Sequence, residues 1–265
     1  MHIDRFRSLR YLSSEVDWCE PNFVFSVYIA EFFNTISNIP LVVFSFASLS
    51  IYSQYVIKSK DYSLKFVIAT LIIVSLGSVY FHATLSFVGQ LIDELGILWG
   101  ITVASLSYWP THMKLRRKRL FQFLGLSTAI VCTVASVRFP KLNQFALIGL
   151  GIPYVAAVTL VYLKRRRGDS QFSSLLLRFI ICTFIKFSFW SLDKIYCDTW
   201  LKFRIPFGHA IWHILCTYTA ACAIPLAIYA YSSGAGESHK LELHSLPKFL
   251  GPVGLPYLIY STKAN

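Results

Sequence analysis

Three histidines lie inside or at the edge of strongly apolar stretches of the chain. His82 stands in SVYFHATLSF, and His209 and His213 stand four residues apart in FGHAIWHILC. Imidazoles in a bilayer are costly unless they pair, bind a metal or carry out chemistry. Three histidines that leave one coordination position open are the ligand set of a catalytic zinc ion. The pattern predicts a zinc site that activates water and polarises a carbonyl group.

Two further polar residues accompany these histidines. Ser78 stands four residues before His82, so both lie on one face of a helix, and Asp93 follows eleven residues after His82. A carboxylate near a metal can take a proton from water, and a hydroxyl can donate to a developing oxyanion. We therefore predict Asp93 as the base and Ser78 as the oxyanion donor. The alternative is that the paired histidines only hydrogen-bond the backbone or each other.

Membrane-spanning helices must position these residues. The 265 residues are 55% hydrophobic and 14% charged, whereas soluble domains carry about 25% charged residues. Apolar runs near the ~20 residues that cross a bilayer predict an all-α membrane protein, a seven-transmembrane helix bundle. We predict one domain over 1–265, with a loop at 1–26, spans within 27–231 and a tail at 232–265. The predicted spans are Val27–Tyr52, Leu64–Phe81, Leu91–Trp109, Leu120–Val137, Gln144–Leu163, Leu175–Leu192 and Ile211–Tyr231.

The distribution of positive charge orients this bundle. The net charge is +12, and one set of alternate loops holds about twice as many Lys and Arg residues as the other. The positive-inside rule places the richer set and the tail in the cytosol, and the N-terminus on the lumenal or extracellular side. His82, Asp93 and His209 then fall at the lumenal ends of their spans. We attribute the basic loops to topology and headgroup attraction, not to nucleic-acid binding. The richer set comprises Lys58, Lys60, Lys65, Lys114, Arg116 to Arg119, Lys164 to Arg167, Lys240, Lys248 and Lys263.

The segment before the first span is rich in hard oxygen donors. Calcium takes six to eight oxygens from mixed sets of carboxylates, amides and backbone carbonyls. The alternative is a solvated acidic loop in which Glu31 pairs with a basic neighbour. The predicted calcium ligands are Asp17, the backbone carbonyl of Trp18, Glu20, Asn22 and Glu31.

Two of the six cysteines fall on the predicted lumenal side, namely Cys19 and Cys197. An oxidising lumen would permit a disulfide between them, which would tie the acidic loop to the bundle. The sixth predicted span also carries Lys186 and ends at Asp193. For these two residues we favour a structural pair, or a snorkelling lysine with an inward-facing aspartate, over catalysis.

Several motifs together resemble the alkaline ceramidases. They are DWCEPN, IAEFFNTISNIP, GSVYFHATLSFVGQLIDELGILW, GHAIWHIL and GPVGLPY, in this order along the chain. This family comprises seven-span hydrolases of endoplasmic reticulum and Golgi membranes, in a superfamily with the adiponectin and progestin receptors. The resemblance implies hydrolysis of the ceramide amide to sphingosine and a fatty acid.

The resemblance also implies roles for particular residues. His82, His209 and His213 match the family's zinc ligands, and Ser78 and Asp93 match its catalytic residues. The acidic loop matches its calcium site, and Cys19 with Cys197 matches its lumenal disulfide.

Two other functions remain open at this point. The superfamily also suggests a seven-span receptor with a regulatory metal site, although the predicted cytosolic loops are short. A lipid or ion transporter would show broken spans repeated in two halves, and the sequence has no such symmetry.

Overall fold

The computed structural model is a bundle of long helices with a small β-hairpin. It describes residues 7–108, 118–165, 170–234, 241–247 and 254–260. Short 3-10 helices occupy Arg7–Leu9 and Pro140–Leu142. The other elements are α1 (Phe32–Ile36), α2 (Ile39–Ile51), α3 (Ser53–Ser59), α4 (Ser63–Thr84), α5 (Phe87–Ser107), α6 (Lys118–Arg138), α7 (Asn143–Arg165), α8 (Ser170–Ile195), α9 (Cys197–Lys202), α10 (Gly208–Gly234), β1 (Leu241–Leu246) and β2 (Leu255–Tyr260).

Six helical segments in the described part of the chain are long and apolar enough to cross a membrane. They correspond to α1 with α2, and to α4, α5, α6, α8 and α10. The predicted fifth span coincides with α7, a helix of 23 residues that is not among these six. The protein is therefore a multi-pass helical membrane protein, and the seventh span stays a prediction.

The basic residues that predict the orientation are only partly described. Residues 114–117, 166–167, 240, 248 and 263 lie outside the described ranges, as does Trp109 at the end of the predicted third span. The direction of the bundle across the membrane therefore stays a prediction.

The first span is shorter than predicted and is interrupted. Helix α1 begins at Phe32, and the α-helix resumes as α2 only at Ile39. Pro40 lies in the first turn of α2, where its missing N–H costs no helical hydrogen bond. The interruption places Ser37 and Asn38 side chains in the buried interior of the bundle.

Helices α4 and α5 form a tight antiparallel pair. A Cβ atom on Gly77 would lie 2.6 Å from Ile92 Cγ2, so only glycine permits this approach. Leu85 ends α4 with a φ of 47°, and Ser86 Oγ accepts a hydrogen bond from Gly89 N (3.1 Å) as the N-cap of α5. This short turn places the end of α4 and the start of α5 together, at what we call the histidine end of the bundle.

The predicted tail contains a β-hairpin, which the predicted all-α fold did not include. Strands β1 and β2 pair antiparallel, with Leu241 opposite Tyr260 and Leu246 opposite Leu255. Leu241 and Leu258 are buried in the main apolar cluster of the bundle, and β2 contacts α3 and α10. The alternation of apolar and polar residues in LELHSL is the pattern of a half-buried strand. We call this opposite end, closed by the hairpin, the hairpin end.

Candidate metal centre and catalytic groups

The three histidines converge at the histidine end. His82 comes from the last turn of α4, and His209 and His213 come from the first two turns of α10. Their candidate ligand atoms all lie within 4.8 Å of one another, and each residue is at most 2% exposed. The Nε2 atoms of His82 and His213 and the Nδ1 atom of His209 are buried without a hydrogen-bond partner among the described residues. Buried polar atoms rarely lack partners, so this cluster fits a metal ion.

The N-terminal loop fixes His82. Ala30 N and Glu31 N donate to the carbonyl oxygens of Ala83 and His82 (2.9 and 3.0 Å), which have no partner within α4. His82 Nδ1 lies 2.5 Å from Glu31 Oε2. Burial raises the pKa of Glu31 well above its usual value. With Nδ1–H donating to this carboxyl group, the lone pair of Nε2 faces the centre of the cluster.

The interruption between α1 and α2 fixes His213. Ser37 Oγ lies 3.0 Å from the carbonyl oxygen of Asn34 and 2.8 Å from His213 Nδ1. When the hydroxyl donates to the carbonyl group, it accepts from Nδ1–H, which leaves Nε2 as the ligand atom. Asn38 Nδ2 is 3.2 Å from the same Nδ1. Sequence reasoning missed Ser37 and Asn38, although polar residues before Pro40 in an apolar stretch were a signal.

Asp193 and Trp18 hold His209. Asp193 accepts hydrogen bonds from His209 N at Oδ1 and from Cys19 N at Oδ2, both at 3.1 Å. Gly208 makes room for this carboxylate, because a Cβ there would lie 2.9 Å from Oδ1. The indole ring of Trp18 stacks on the imidazole, with centroids 3.4 Å apart and planes 14° apart. The aspartate faces inward as predicted, and it connects the loop to the start of α10.

The predicted disulfide between Cys19 and Cys197 is present. The two Cα atoms are 5.3 Å apart, and 178 residues separate the cysteines in sequence. The bond fastens the N-terminal loop to the first residue of α9. The loop that contacts His82 and His209 is thereby attached covalently to the segment between α8 and α10.

Ser78 and Asp93 are buried at the same end of the α4–α5 pair. They are 2% and 6% exposed, and Ser78 Oγ has no hydrogen-bond partner among the described residues. Neighbouring Glu94 differs, because its two oxygens accept from Gln90 Nε2 (3.2 Å) and Asn143 Nδ2 (3.0 Å). Among the described residues, no side-chain amide donates a hydrogen bond to Asp93, so Asp93 is better placed than Glu94 to exchange a proton.

Three of the predicted calcium ligands meet in the loop. The N–H of Trp18 lies 3.0 Å from both Asp17 Oδ1 and Glu31 Oε1. Asn22 Nδ2 donates to Asp17 Oδ2 (3.1 Å), and its Oδ1 atom is buried without a partner among the described residues. Two carboxylates that share one N–H, beside an unpartnered amide oxygen, fit a hard cation.

Glu20 occupies a different position. Its Oε1 and Oε2 atoms accept hydrogen bonds from Phe33 N (2.7 Å) and Asn34 N (2.8 Å), in the first turn of α1. Burial raises its pKa. Glu20 therefore stabilises the start of α1, and its role as a calcium ligand stays a prediction.

The chain is similar to known proteins over most of its length. A family model described as Ceramidase matches residues 10–258. Alkaline ceramidase 1 from Homo sapiens is 31% identical over 253 residues, which cover 94% of each chain. The alkaline ceramidase from Drosophila melanogaster is 33% identical over 257 residues, 94% of this chain and 89% of the relative. That from Caenorhabditis elegans is 34% identical over 205 residues, 75% of this chain and 74% of the relative. With the family model matching almost the whole sequence and the buried histidine cluster in place, this chain belongs to the ceramidase family.

Proposed function

We propose that the protein is a zinc-dependent ceramidase that hydrolyses the amide bond of ceramide to sphingosine and a free fatty acid. The observation that carries this proposal is the convergence of three unpartnered histidine nitrogens next to the α4–α5 pair that bears Ser78 and Asp93. Membership of the ceramidase family supports the choice of substrate. The apolar surroundings suit a lipid with two chains, whose amide lies near headgroup depth.

The histidines would hold the ion, and Glu31, Ser37 and Asp193 would keep their rings and backbone in position. A zinc ion bound there supplies Lewis acidity to the scissile carbonyl group. Asp93 takes a proton from the attacking water as the oxygen atom of that water bonds to the carbonyl carbon. Ser78 Oγ–H donates to the carbonyl oxygen as negative charge develops on it. Asp93 then returns the proton to the amide nitrogen as the C–N bond breaks.

The loop would bind calcium through Asp17, the carbonyl oxygen of Trp18, Glu20, Asn22 and Glu31. Because Glu31 also contacts His82, an ion in the loop would hold the first zinc ligand indirectly. If this is right, calcium raises the melting temperature of the wild-type protein and has no such effect on Asp17→Asn. An equal shift in both proteins contradicts the proposed site.

The bundle would cross an endoplasmic reticulum or Golgi membrane seven times, with α7 as the fifth span. The N-terminus and the histidine end would face the lumen, and the hairpin end would face the cytosol. The disulfide supports this direction, because such bonds persist in oxidising compartments. A glycosylation acceptor inserted near Arg10 should be modified, and one inserted after Tyr260 should not; the reverse result contradicts the orientation.

The function is tested with protein purified in detergent or in lipid nanodiscs. Removal of metal with a chelator should abolish the release of sphingosine and fatty acid from ceramide, and added zinc should restore it. A glycerolipid ester of matched chain length serves as the control substrate. Full turnover after verified removal of metal contradicts the zinc mechanism, and turnover of the ester alone contradicts the substrate.

A further inference from the structure

Two cations lie within α8, in the span Phe172–Ile195, away from the histidine cluster. Arg178 and Lys186 are eight residues apart and so lie on the same side of the helix, about 12 Å apart along its axis. Lys186 Nζ lies 3.4 Å from Thr219 Oγ1, near the middle of the span Gly208–Ser232. A snorkelling lysine would instead extend toward the end of its helix. The ammonium group is therefore held deep in the membrane, between α8 and α10.

Neither cation has an anionic partner in the described part of the chain. Arg178 contacts the carbonyl oxygen of Ser174 (3.4 Å) and the hydroxyl of Tyr218 (3.3 Å). The hydroxyl of Thr219 is the one hydrogen-bond partner of Lys186 in the same part of the chain. These distances exceed the usual 2.7–3.2 Å for N–H···O bonds. Charged residues inside a membrane normally pair, so the site lacks its natural counter-charge.

Lys186 is the less satisfied of the two and the nearer to the histidines. An ammonium group has three N–H donors, and one acceptor is present. Asp193, which binds His209 N, follows Lys186 by seven residues on α8 and Arg178 by fifteen, or about 10 and 22 Å along the helix axis. An anion released near the histidine cluster would therefore reach Lys186 before Arg178.

The site is accessible from the lipid. Helix α8 packs mainly against α10, and its other side exposes apolar residues. Phe184 and Ile185 flank Lys186 and are 74% and 39% exposed. A ligand that reaches this depth must be an amphiphile with a small anionic group, because a bulky phospholipid headgroup would have to leave the interface. A long-chain carboxylate meets both conditions.

We propose that Lys186, with Thr219, forms a membrane-buried binding site for the carboxylate of a long-chain fatty acid. The site would receive the acid after the amide bond is cut, before the acid leaves between α8 and the lipid. That origin of the acid rests on the proposed ceramidase function, whereas binding itself does not.

Binding is measured on the full chain in phosphatidylcholine nanodiscs, with carboxyl-labelled palmitate and with hexadecanol as the uncharged probe of equal length. We expect palmitate to bind at least tenfold more tightly than hexadecanol. Lys186→Met, which keeps an unbranched apolar side chain, should weaken palmitate binding about tenfold, and Lys186→Arg should restore most of it. Arg178→Met and the exposed Lys202→Met are the matched controls and should leave binding unchanged. Melting temperatures establish that each variant is folded.

Several results would overturn the site. If the wild-type protein binds palmitate and hexadecanol equally well, the carboxylate charge has no role in binding. This result needs no variant. A loss caused by Arg178→Met but not by Lys186→Met moves the ligand to the other cation. Displacement of palmitate by phosphatidylglycerol in the nanodisc assigns the site to a lipid headgroup. If the protein does not turn over ceramide but still binds palmitate through Lys186, the ceramidase function is contradicted and the proposed binding site still stands.

Discussion

The ionisable groups at the two ends of the bundle are satisfied to different extents. At the hairpin end, Asp61 Oδ2 accepts hydrogen bonds from Tyr108 (2.7 Å) and Tyr55 (3.4 Å), and Oδ1 accepts from Ser63 N (3.2 Å). At the histidine end, the Nδ1 atoms of His82 and His213 have partners, whereas one ring nitrogen of each of the three histidines has none among the described residues. The carboxylate at one end is satisfied by the fold itself. The cluster at the other end has nitrogen atoms free to bind a metal ion.

The largest loss of turnover should come from substituting one of the three clustered histidines. His213→Ala removes one of three nitrogens, so turnover should fall by more than the roughly 10–100-fold that loss of an outer partner costs. Ceramide hydrolysis and bound zinc are measured together on the purified variant. Retention of both within twofold of the wild-type protein would show that the cluster is not the metal site.

The next effect concerns two adjacent carboxylates. Asp93→Asn removes the proposed base and should lower turnover by about 10²–10⁴-fold, with zinc content unchanged. Glu94→Gln is the matched control, because an amide can still accept from Asn143, and its turnover should stay within a few fold. If the two variants lose activity equally, Asp93 is not specifically the base.

A smaller effect on zinc binding is expected for Asp193, which accepts a hydrogen bond from the backbone N–H of His209. Asp193→Ala leaves the backbone N–H groups of His209 and Cys19 without their acceptor. Zinc affinity, measured by competition with a chelator, should fall roughly 10–100-fold. Turnover at saturating zinc should recover. An unchanged affinity would mean that the disulfide alone positions the loop.

The smallest effect on turnover is expected at the hairpin end. Tyr108→Phe removes the 2.7 Å hydrogen bond to Asp61, so the free energy of unfolding should drop by about 1.5–3 kcal/mol, as for hydrogen bonds to charged groups. Ceramide turnover and zinc content should stay at wild-type values. If a folded Tyr108→Phe variant lost turnover, the hairpin end would affect catalysis, and the proposed functional difference between the two ends would be wrong.

Much of the histidine end was predictable because its signals are local. Ser78 and His82 share one helix face, as do His209 and His213, and a polar residue in an apolar run is conspicuous. The disulfide between Cys19 and Cys197 followed from the predicted sidedness and from the family resemblance. The serine and histidine predictions depend on spacing and on the polarity of single stretches, whereas the disulfide also needed the order of the spans and the resemblance.

The partners of the histidines were not predictable in the same way. Glu31 contacts His82 across 51 residues, and Ser37 contacts His213 across 176. Such contacts depend on where α1 is interrupted and on how the loop crosses the end of α4. The tail shows a different failure, because the prediction of an all-α fold did not consider the two-residue alternation of LELHSL. Lys186 pairs with Thr219 rather than Asp193, since the two α8 residues lie seven positions apart and their contacts are set by α10.

The metal content of the active protein tests the central claim most directly. Purified wild-type protein that hydrolyses ceramide is analysed by elemental mass spectrometry, alongside the His213→Ala variant prepared in the same way. The three unpartnered nitrogens predict about one zinc per wild-type chain and a large loss in the variant. Undiminished ceramide hydrolysis by protein that contains no zinc would contradict the account.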